Sequence, residues 1–207
     1  WNAFSNNWWP RKLLIDVHGT IRYDHVGEGG YEETEAKIIE LLAEAGVVVP
    51  HDTERVAEPL RRTTTPELYA GSLRGHLGTG EVCTKDFCGY VDPGHAKRRE
   101  NMIYLHGKWK QEPEYVEYHG EYGEGYLVHV FTAAEVNAVI AQGTSEVLVD
   151  GKPLEKNRGK DVVVEEGKAM VVAKQADMYN IISGKHYIYE LKLVPEKGFK
   201  LFAFTFG

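Results

Sequence analysis

The chain has 207 residues, of which 43% are hydrophobic, and its formal net charge is −7. Nucleic-acid binding is excluded as a function class, because it needs clustered lysine and arginine to neutralise phosphates and no basic stripe is present. No run approaches the ~20 apolar residues that a membrane-spanning helix needs. The length suffices for one large domain or two small ones, and the 22 glycines, 12 tyrosines and β-branched runs favour a β-rich body.

The first 47 residues predict a β-hairpin followed by a helix. Lys12–Asp16 is typical of a buried strand, and Thr20–Val26 is predicted to return beside it after a turn. A glycine-rich break then precedes a predicted helix at Glu32–Ala45, which has acidic residues in its first turn and one apolar face. Gly46 is a natural C-terminal stop. The order is therefore β-β-α.

Residues 48–65 contain prolines and several charges and are predicted to form a linker. Residues 66–207 predict short strands separated by turns, which is typical of an antiparallel β-sandwich or jelly roll. The expected fold class is α+β. Met178–Ser183 is predicted as a helical turn, and Lys97-Arg98-Arg99 as solvated loop charge. The predicted strands are Asn101–Lys108, Tyr115–Tyr118, Gly125–Phe131, Glu135–Ala141, Ser145–Val149, Lys168–Ala173, Ile188–Leu193 and Lys200–Phe206.

Three groups of segments together resemble one family, the DipZ/TlpA-type extracytoplasmic thioredoxin-like proteins. The first group is similar to the second half of their thioredoxin fold, the second to the junction that follows it, and the third to their C-terminal, carbohydrate-binding-module-like β-sandwich. The order and spacing of the segments carry the resemblance, since no single motif is specific. The first group is Trp1–Pro10, Leu13–Asp16, Gly19–Tyr23 and Gly27–Glu35; the second is Thr65–Gly71; the third is Val149–Leu154, Gly159–Val162, Met178–Ile182 and Ala203–Gly207.

The resemblance implies a partial thioredoxin fold at residues 1–47, a linker at 48–65 and a β-sandwich at 66–207. It makes Pro10, with Trp9 before it, the candidate for the cis-proline that lies beside the redox thiols of this fold. The family's Cys-x-x-Cys, whose thiolate is activated at a helix N-terminus, has no counterpart in this sequence. We therefore expect a fragment of an extracytoplasmic thiol–disulfide oxidoreductase that needs no cofactor and is inactive alone. The abrupt start at Trp1 agrees with this expectation.

The two cysteines, Cys83 and Cys88, are separated by four residues. A disulfide that closes a short loop suits an oxidising compartment. A metal site with His76 and His95 has suitable ligand types, although this cysteine spacing is wide for zinc. Two free thiols are the third possibility, and a redox-active pair is disfavoured because no helix N-terminus is predicted beside them.

Aromatic residues of the second domain suggest an alternative function. Tyr69, Tyr104 and Trp109 are candidates for stacking against a sugar, although tyrosines and tryptophans in predicted strands are also typical core residues. The chain would then be a non-catalytic binding or assembly module that recognises a glycan or a protein. The expected partners are a missing N-terminal thioredoxin half or a second copy of the chain, with a redox partner protein or a glycan as further candidates.

Overall fold

The structure is a computed structural model that describes residues 2–48, 64–83 and 88–207. The chain divides into two compact units, Trp1–Arg61 (unit 1) and Arg62–Gly207 (unit 2). Strands dominate the described residues, which contain a single α-helix, and the sheets are antiparallel. Most of the predicted linker, residues 49–63, lies outside the described residues.

Unit 1 consists of a β-hairpin and a helix. Strand β1 (Arg11–Ile15) pairs antiparallel with β2 (Ile21–Val26), and helix α1 (Tyr31–Glu44) follows. The helix begins after Gly30, which has a φ of 62°, and ends before Gly46, which has a φ of 77°. Glycine adopts this left-handed backbone without the steric cost that a Cβ imposes. The β-β-α order predicted from the sequence is confirmed, with the helix displaced by one residue.

The side chain of Asp16 shapes the turn between β1 and β2. Its Oδ1 accepts hydrogen bonds from the backbone N–H groups of His18 and Thr20, both at 2.9 Å. Such a bond lets aspartate replace a backbone acceptor in a tight turn. These bonds, led by the one from Thr20, hold the pKa of Asp16 below its usual range.

Unit 2 contains one large sheet of 11 strands. Its main path runs β10-β11-β8-β13-β7-β6-β5-β4; β12 and β9 pair with β8, β3 pairs with β13, and β6 also pairs with β8. The strands are β3 Leu68–Tyr69, β4 Gly80–Cys83, β5 Cys88–Val91, β6 Tyr104–Gln111, β7 Val116–Tyr118, β8 Tyr126–Val149, β9 Lys152–Pro153, β10 Val162–Glu165, β11 Lys168–Ala173, β12 Asp177–Pro195 and β13 Lys200–Phe206.

Strand β8 corrects the prediction of three separate strands in this region. It is continuous over 24 residues and exchanges partners along its length. It pairs with β13 as far as Gln142 and with β11 from Gly143 onward. Gly143 has a φ of 106°, and a Cβ on it would lie 2.7 Å from the Cα of Phe199. Gly143, which falls between two of the predicted strands, therefore lets β8 pass close to another backbone segment.

Strand β12 corrects the predicted helical turn at Met178–Ser183, because this segment lies inside the strand. Asp177 is opposite Ile140 and Lys192 is opposite Val128, so residue numbers run in opposite directions along β12 and β8. Pairing with β8 satisfies the backbone N–H and C=O groups of this segment, which the predicted turn would have satisfied locally. Strands β3, β4, β5, β9 and β10 were not predicted from the sequence.

The hydrophobic core lies in unit 2. Among the residues whose burial is described, the buried hydrophobic side chains fall between Leu68 and Phe204, and the β strands supply most of them. Hydrophobic burial is the main favourable contribution to folding. The largest fully buried side chains include Trp109, Tyr104, Tyr118, Phe131, Phe199 and Phe204.

Candidate functional site

Pro10 immediately precedes β1 in unit 1. The Trp9–Pro10 peptide bond is cis, and the Trp9 side chain is 86% exposed. The carbonyl oxygen of Pro10 accepts a hydrogen bond of 2.9 Å from the N–H of Gly27, just beyond the end of β2. Both cysteines of the sequence lie after residue 80, so unit 1 has no thiol. The role of Pro10 and Trp9 in a redox site stays a prediction.

Arg22 joins the hairpin of unit 1 to its helix. Its two terminal nitrogens donate hydrogen bonds of 2.8 and 3.0 Å to the Glu44 carboxylate, and Nη1 also donates one of 3.3 Å to Asp16. The hydrogen bond from Arg22 holds the pKa of Glu44 below its usual range. A bidentate hydrogen bond of this kind adds geometric specificity to the charge attraction. The Arg22–Glu44 pair therefore orients α1 relative to the hairpin.

The apolar side chains of unit 1 are not buried. Among residues 3–48, whose burial is described, no hydrophobic side chain is classed as buried, and α1 contains no buried residue. Ile38 and Ile39, on the predicted apolar face of the helix, are 39% and 40% exposed. An amphipathic helix is ordinarily stabilised by packing of its apolar face. The exposed surface of unit 1 is therefore typical of an interaction site.

Cys83 and Cys88 occupy facing positions in the hairpin of β4 and β5. Their Cα atoms are register partners. Directly opposed residues of an antiparallel pair have Cα separations of about 4.5–5.5 Å, which falls in the range that a disulfide needs. Cys88 is disulfide-bonded. The side chain of Cys83 and residues 84–87 lie outside the described residues.

Two of the three candidate sugar-binding aromatics are buried, which contradicts that interpretation for Tyr104 and Trp109. Tyr104 is 2% exposed, and its hydroxyl accepts the N–H of Arg99 at 2.7 Å. Trp109 is 0% exposed, and its indole N–H donates to the carbonyl oxygen of His106 at 2.8 Å. Both rings fill the core while their polar atoms find backbone partners.

The third candidate, Tyr69, lies at a surface cavity of about 380 Å³. The guanidinium carbon of Arg74 sits 4.1 Å from the centre of its ring, so one ring face is covered. A sugar cannot stack on that face. The cavity is lined by Glu67, Tyr69, Gly71, Leu73, Arg74, Pro113, Glu114, Val139, Phe202, Ala203 and Thr205.

The four candidate metal ligands were His76, Cys83, Cys88 and His95. His95 Nδ1 lies 2.7 Å from the Oε2 of Glu190, and Cys88 is disulfide-bonded. Within the described part of the chain, no group of three or more histidine, cysteine, aspartate or glutamate side chains could hold a metal ion. The described residues therefore supply no metal centre.

A buried charge network around Arg98 corrects the prediction of solvated charge for that residue, whereas its neighbours Lys97 and Arg99 are exposed as predicted. The Arg98 side chain is 5% exposed; it forms an ion pair of 2.5 Å with Glu190 and hydrogen bonds to both oxygens of Asp92. The Tyr126 hydroxyl donates to Asp92 at 2.8 Å. Burial by itself raises the pKa values of both carboxyl groups, but these bonds, with further ones from Gly94 to Asp92 and His95 to Glu190, leave both below their usual range.

This network joins the loop after β5 to β12, because Asp92 and Arg98 belong to the loop and Glu190 to the strand. Arg98 is separated from Glu190 by 92 residues in sequence. Every charge in the network has a partner, which is typical of a structural ion cluster. Sequence spacing alone carried no signal for a contact at that separation.

His129 is a buried polar group without a hydrogen-bond partner among the described residues. It is 0% exposed, and neither ring nitrogen has a partner. The rings of Phe131, Phe204 and Phe206 surround it at centroid distances of 5.3, 4.3 and 5.7 Å. Burial lowers its pKa to about 3. The imidazole is therefore neutral and packs as a core aromatic ring.

Comparison with known proteins agrees with the resemblance predicted from the sequence. Two proteins named "Protein DipZ", from Mycobacterium bovis and Mycobacterium tuberculosis, are each 28% identical to this chain over 222 residues. The alignments cover 100% of this chain and 28% of each relative, so the chain spans little more than a quarter of their length. The chain resembles a DipZ-type thioredoxin-like protein, as predicted. No described helix is long and apolar enough to cross a bilayer.

A family model described as "Thioredoxin like C-terminal domain" matches residues 65–207. This match begins three residues into unit 2 and continues to the last residue, so it includes the whole described core. The chain belongs to the family of thioredoxin-like C-terminal domains.

Proposed function

We propose that the chain is part of an extracytoplasmic thiol–disulfide oxidoreductase, in which unit 1 supplies the C-terminal half of a thioredoxin-like domain. The observation that carries this proposal is the absence of any buried apolar side chain among residues 3–48, despite an apolar strand and an amphipathic helix. Membership of the thioredoxin-like C-terminal family supports it. The 207-residue chain alone, without a Cys-x-x-Cys, would be catalytically inactive.

The open side of β1 supports completion of unit 1 by another polypeptide segment. Leu13, Leu14 and Ile15 are consecutive apolar residues, a pattern typical of a strand that is covered on both faces. Among the described residues, β1 pairs only with β2, so its other edge exposes backbone donors and acceptors. A unit of this size, Trp1–Arg61, also buries only a modest share of its surface by itself.

We favour a thioredoxin half that carries the redox cysteines as the segment that completes unit 1, over a second copy of the chain. Such a half would place a strand beside β1 and apolar side chains on α1. Its dithiol would reduce a substrate disulfide, passing through a mixed disulfide to an oxidised Cys-x-x-Cys. Pro10, with Trp9, would lie at the edge of the completed site.

For unit 2 we propose an antiparallel β-sandwich of the jelly-roll type, with domain boundaries at residues 1–47, 48–65 and 66–207. The long strands β8 and β12, which pair along much of their length, support this architecture. We also propose that Cys83 and Cys88 form one disulfide, since Cys88 is disulfide-bonded and Cys83 is its register partner and the only other cysteine. This agrees with an oxidising compartment.

The test compares this chain with a version extended at its N-terminus by the preceding gene segment, in dithiothreitol-driven insulin reduction. We expect turnover only from the extended protein and its loss when the cysteines of a Cys-x-x-Cys in the extension are changed to serine. The matched control is Cys83→Ser in the extended protein, which should keep its activity. Hydrogen exchange at Leu13–Ile15 should be slower in the extended protein, because a neighbouring strand would then bond these amides.

Three results would contradict the proposal. One is insulin reduction by the 207-residue chain that disappears in Cys83→Ser, because the hairpin pair would then be the redox centre. Another is an extension without Cys-x-x-Cys. The third is an extension that leaves hydrogen exchange at Leu13–Ile15 unchanged. Slow exchange in the chain alone, together with twice the monomer mass, would assign the open edge to a second copy.

A further inference from the structure

The cavity beside Tyr69 has a formed apolar interior within unit 2. Tyr69 on β3 and Val139 on β8 lie on either side of Ala203 on β13, so the three side chains share one face of the sheet. Leu73, from the turn after β3, and Pro113, before β7, complete the walls. The volume of about 380 Å³ falls in the range of small-ligand sites.

The turn that carries Leu73 and Arg74 is fixed against neighbouring backbone. The N–H groups of Ser72 and Leu73 donate to the carbonyl oxygens of Glu112 and Pro113, at 2.9 and 2.8 Å. A Cβ on Gly71 would lie 2.2 Å from the carbonyl carbon of Glu114, so only glycine allows this approach. The cavity wall is therefore held in place by the fold.

Three charged side chains line the cavity without ion-pair partners. Among the described residues, neither Glu67, Arg74 nor Glu114 forms a salt bridge within 4.0 Å. Arg74 stacks on the Tyr69 ring, and the Tyr69 hydroxyl donates a hydrogen bond to Glu67. The cavity lining therefore contains the carboxylates of Glu67 and Glu114 and the guanidinium of Arg74, which is stacked on the Tyr69 ring.

This combination favours a cation with an apolar stem. The carboxylates of Glu67 and Glu114 attract a positive charge, and the apolar walls suit a hydrocarbon chain. An anionic ligand would face two carboxylates, and the net charge of −7 disfavours it at longer range. A neutral sugar would find one face of Tyr69 covered by Arg74.

We propose that this cavity binds a lysine side chain of a partner polypeptide, with an apolar neighbouring residue of the partner against Leu73 and Pro113. The ammonium group lies between Glu67 and Glu114, and the lysine methylenes lie along Val139 and Ala203. Arg74 holds the Tyr69 ring in place. Its guanidinium repels a partner whose positive charge would lie close to Arg74. This binding site is independent of the redox role proposed for unit 1.

The test uses three peptides that differ only in their central residue: acetyl-Leu-Lys-Leu-amide and its Gln and Glu analogues. Each is titrated into the ¹⁵N-labelled chain and followed by the amide resonances of unit 2. We expect the Lys peptide to shift the amides of Tyr69, Ala203 and Thr205 and to bind at least about threefold more tightly than the Gln peptide, as a solvent-accessible ion pair allows. The Glu peptide should bind most weakly.

Charge variants separate the proposed site from non-specific attraction. Glu67→Gln and Glu114→Gln should each weaken binding of the Lys peptide by about threefold and leave binding of the Gln peptide unchanged. Arg74→Gln should strengthen binding of the Lys peptide. Glu155→Gln, an exposed glutamate outside this cavity, is the matched control and should have no effect.

Equal affinity for the Lys and Gln peptides would overturn the proposal, as would tighter binding of the Glu peptide. Resonance shifts confined to other parts of unit 2, an equal loss of affinity in Glu155→Gln, or no saturable shift with the Lys peptide would do the same.

Discussion

His129 shows how one buried residue couples the stability of unit 2 to pH. Its neutral imidazole packs among three phenylalanine rings, and burial lowers its pKa from 6.5 to about 3. Above pH 6.5 the histidine is neutral in both the folded and the unfolded chain. As the pH falls below 6.5, the unfolded chain binds a proton that the folded chain does not, so folding loses free energy until about pH 3.

We predict that this linkage costs about 2 kcal/mol of unfolding free energy at pH 5, because the difference of 1.5 pH units from 6.5 corresponds to that amount. His129→Phe replaces the ring by one that cannot be protonated. The difference in urea unfolding free energy between the variant and the natural chain should shift in favour of the variant by about this amount between pH 7 and pH 5. His129→Leu serves as a second variant if phenylalanine overpacks the site. A difference that stays constant across this pH range would contradict the prediction.

Arg98 shows where residue types in sequence mislead. A basic run is ordinarily solvated, and the prediction of solvated charge holds for Lys97 and Arg99 but not for Arg98. The fold brings Asp92 and Glu190 to opposite sides of one guanidinium and buries all three. Both carboxylate pKa values are depressed, so the ion pairs are present at neutral pH and are lost on strong acidification, as the carboxylates become protonated.

At the scale of elements, the hairpin of β4 and β5 sets the position of the cysteines. Cys83 and Cys88 are register partners, so their Cα atoms lie at disulfide distance before any bond forms. The ring closed by a bond between them would contain only six residues. A small ring removes little entropy from the unfolded chain, so the proposed disulfide would contribute modestly to stability.

We predict that changing both Cys83 and Cys88 to serine lowers the free energy of unfolding by about 2 kcal/mol, as loop-closure entropy for so short a ring implies. Urea unfolding of the natural and double-variant chains measures this difference. The natural chain, denatured without reductant, should show no titratable thiol. Two free thiols would refute the disulfide, and a loss far larger than predicted would show that the bond holds more than its own hairpin.

At the scale of the whole molecule, the two units differ in how they bury apolar surface. Among the residues whose burial is described, every buried hydrophobic side chain belongs to unit 2, and unit 1 has none. Hydrophobic burial dominates stability, so unit 2 should determine the cooperative unfolding of this chain.

We predict that a chain of residues 62–207 unfolds at a melting temperature within a few degrees of that of the full chain, because its core is made of its own side chains. Differential scanning calorimetry of both proteins provides the comparison. A chain of residues 1–61 should give no cooperative transition alone. A large decrease in the melting temperature of the 62–207 chain would show that unit 1 stabilises the core.

Features that depend on local pattern could be predicted from the amino-acid sequence. The spacing of apolar residues, the acidic first turn and Gly46 predicted α1, and the turn after Asp16 predicted the β1–β2 hairpin. The order of weak motifs was enough to identify the family relationship. The patterns that predict the helix and hairpin span only a few residues, and the family relationship depends on the order of motifs along the chain. Neither requires knowledge of contacts between distant residues.

Which of these residues are buried, and which meet across the sheet, became known from the folded chain. It placed Tyr104 and Trp109 in the core, left Tyr69 at a cavity, and drew Met178–Ser183 into a strand because β8 supplies its pairing partners. It paired Arg98 with Glu190 across 92 residues. Strand pairing and burial depend on partners that are remote in sequence, so residue type and local periodicity alone do not determine these contacts.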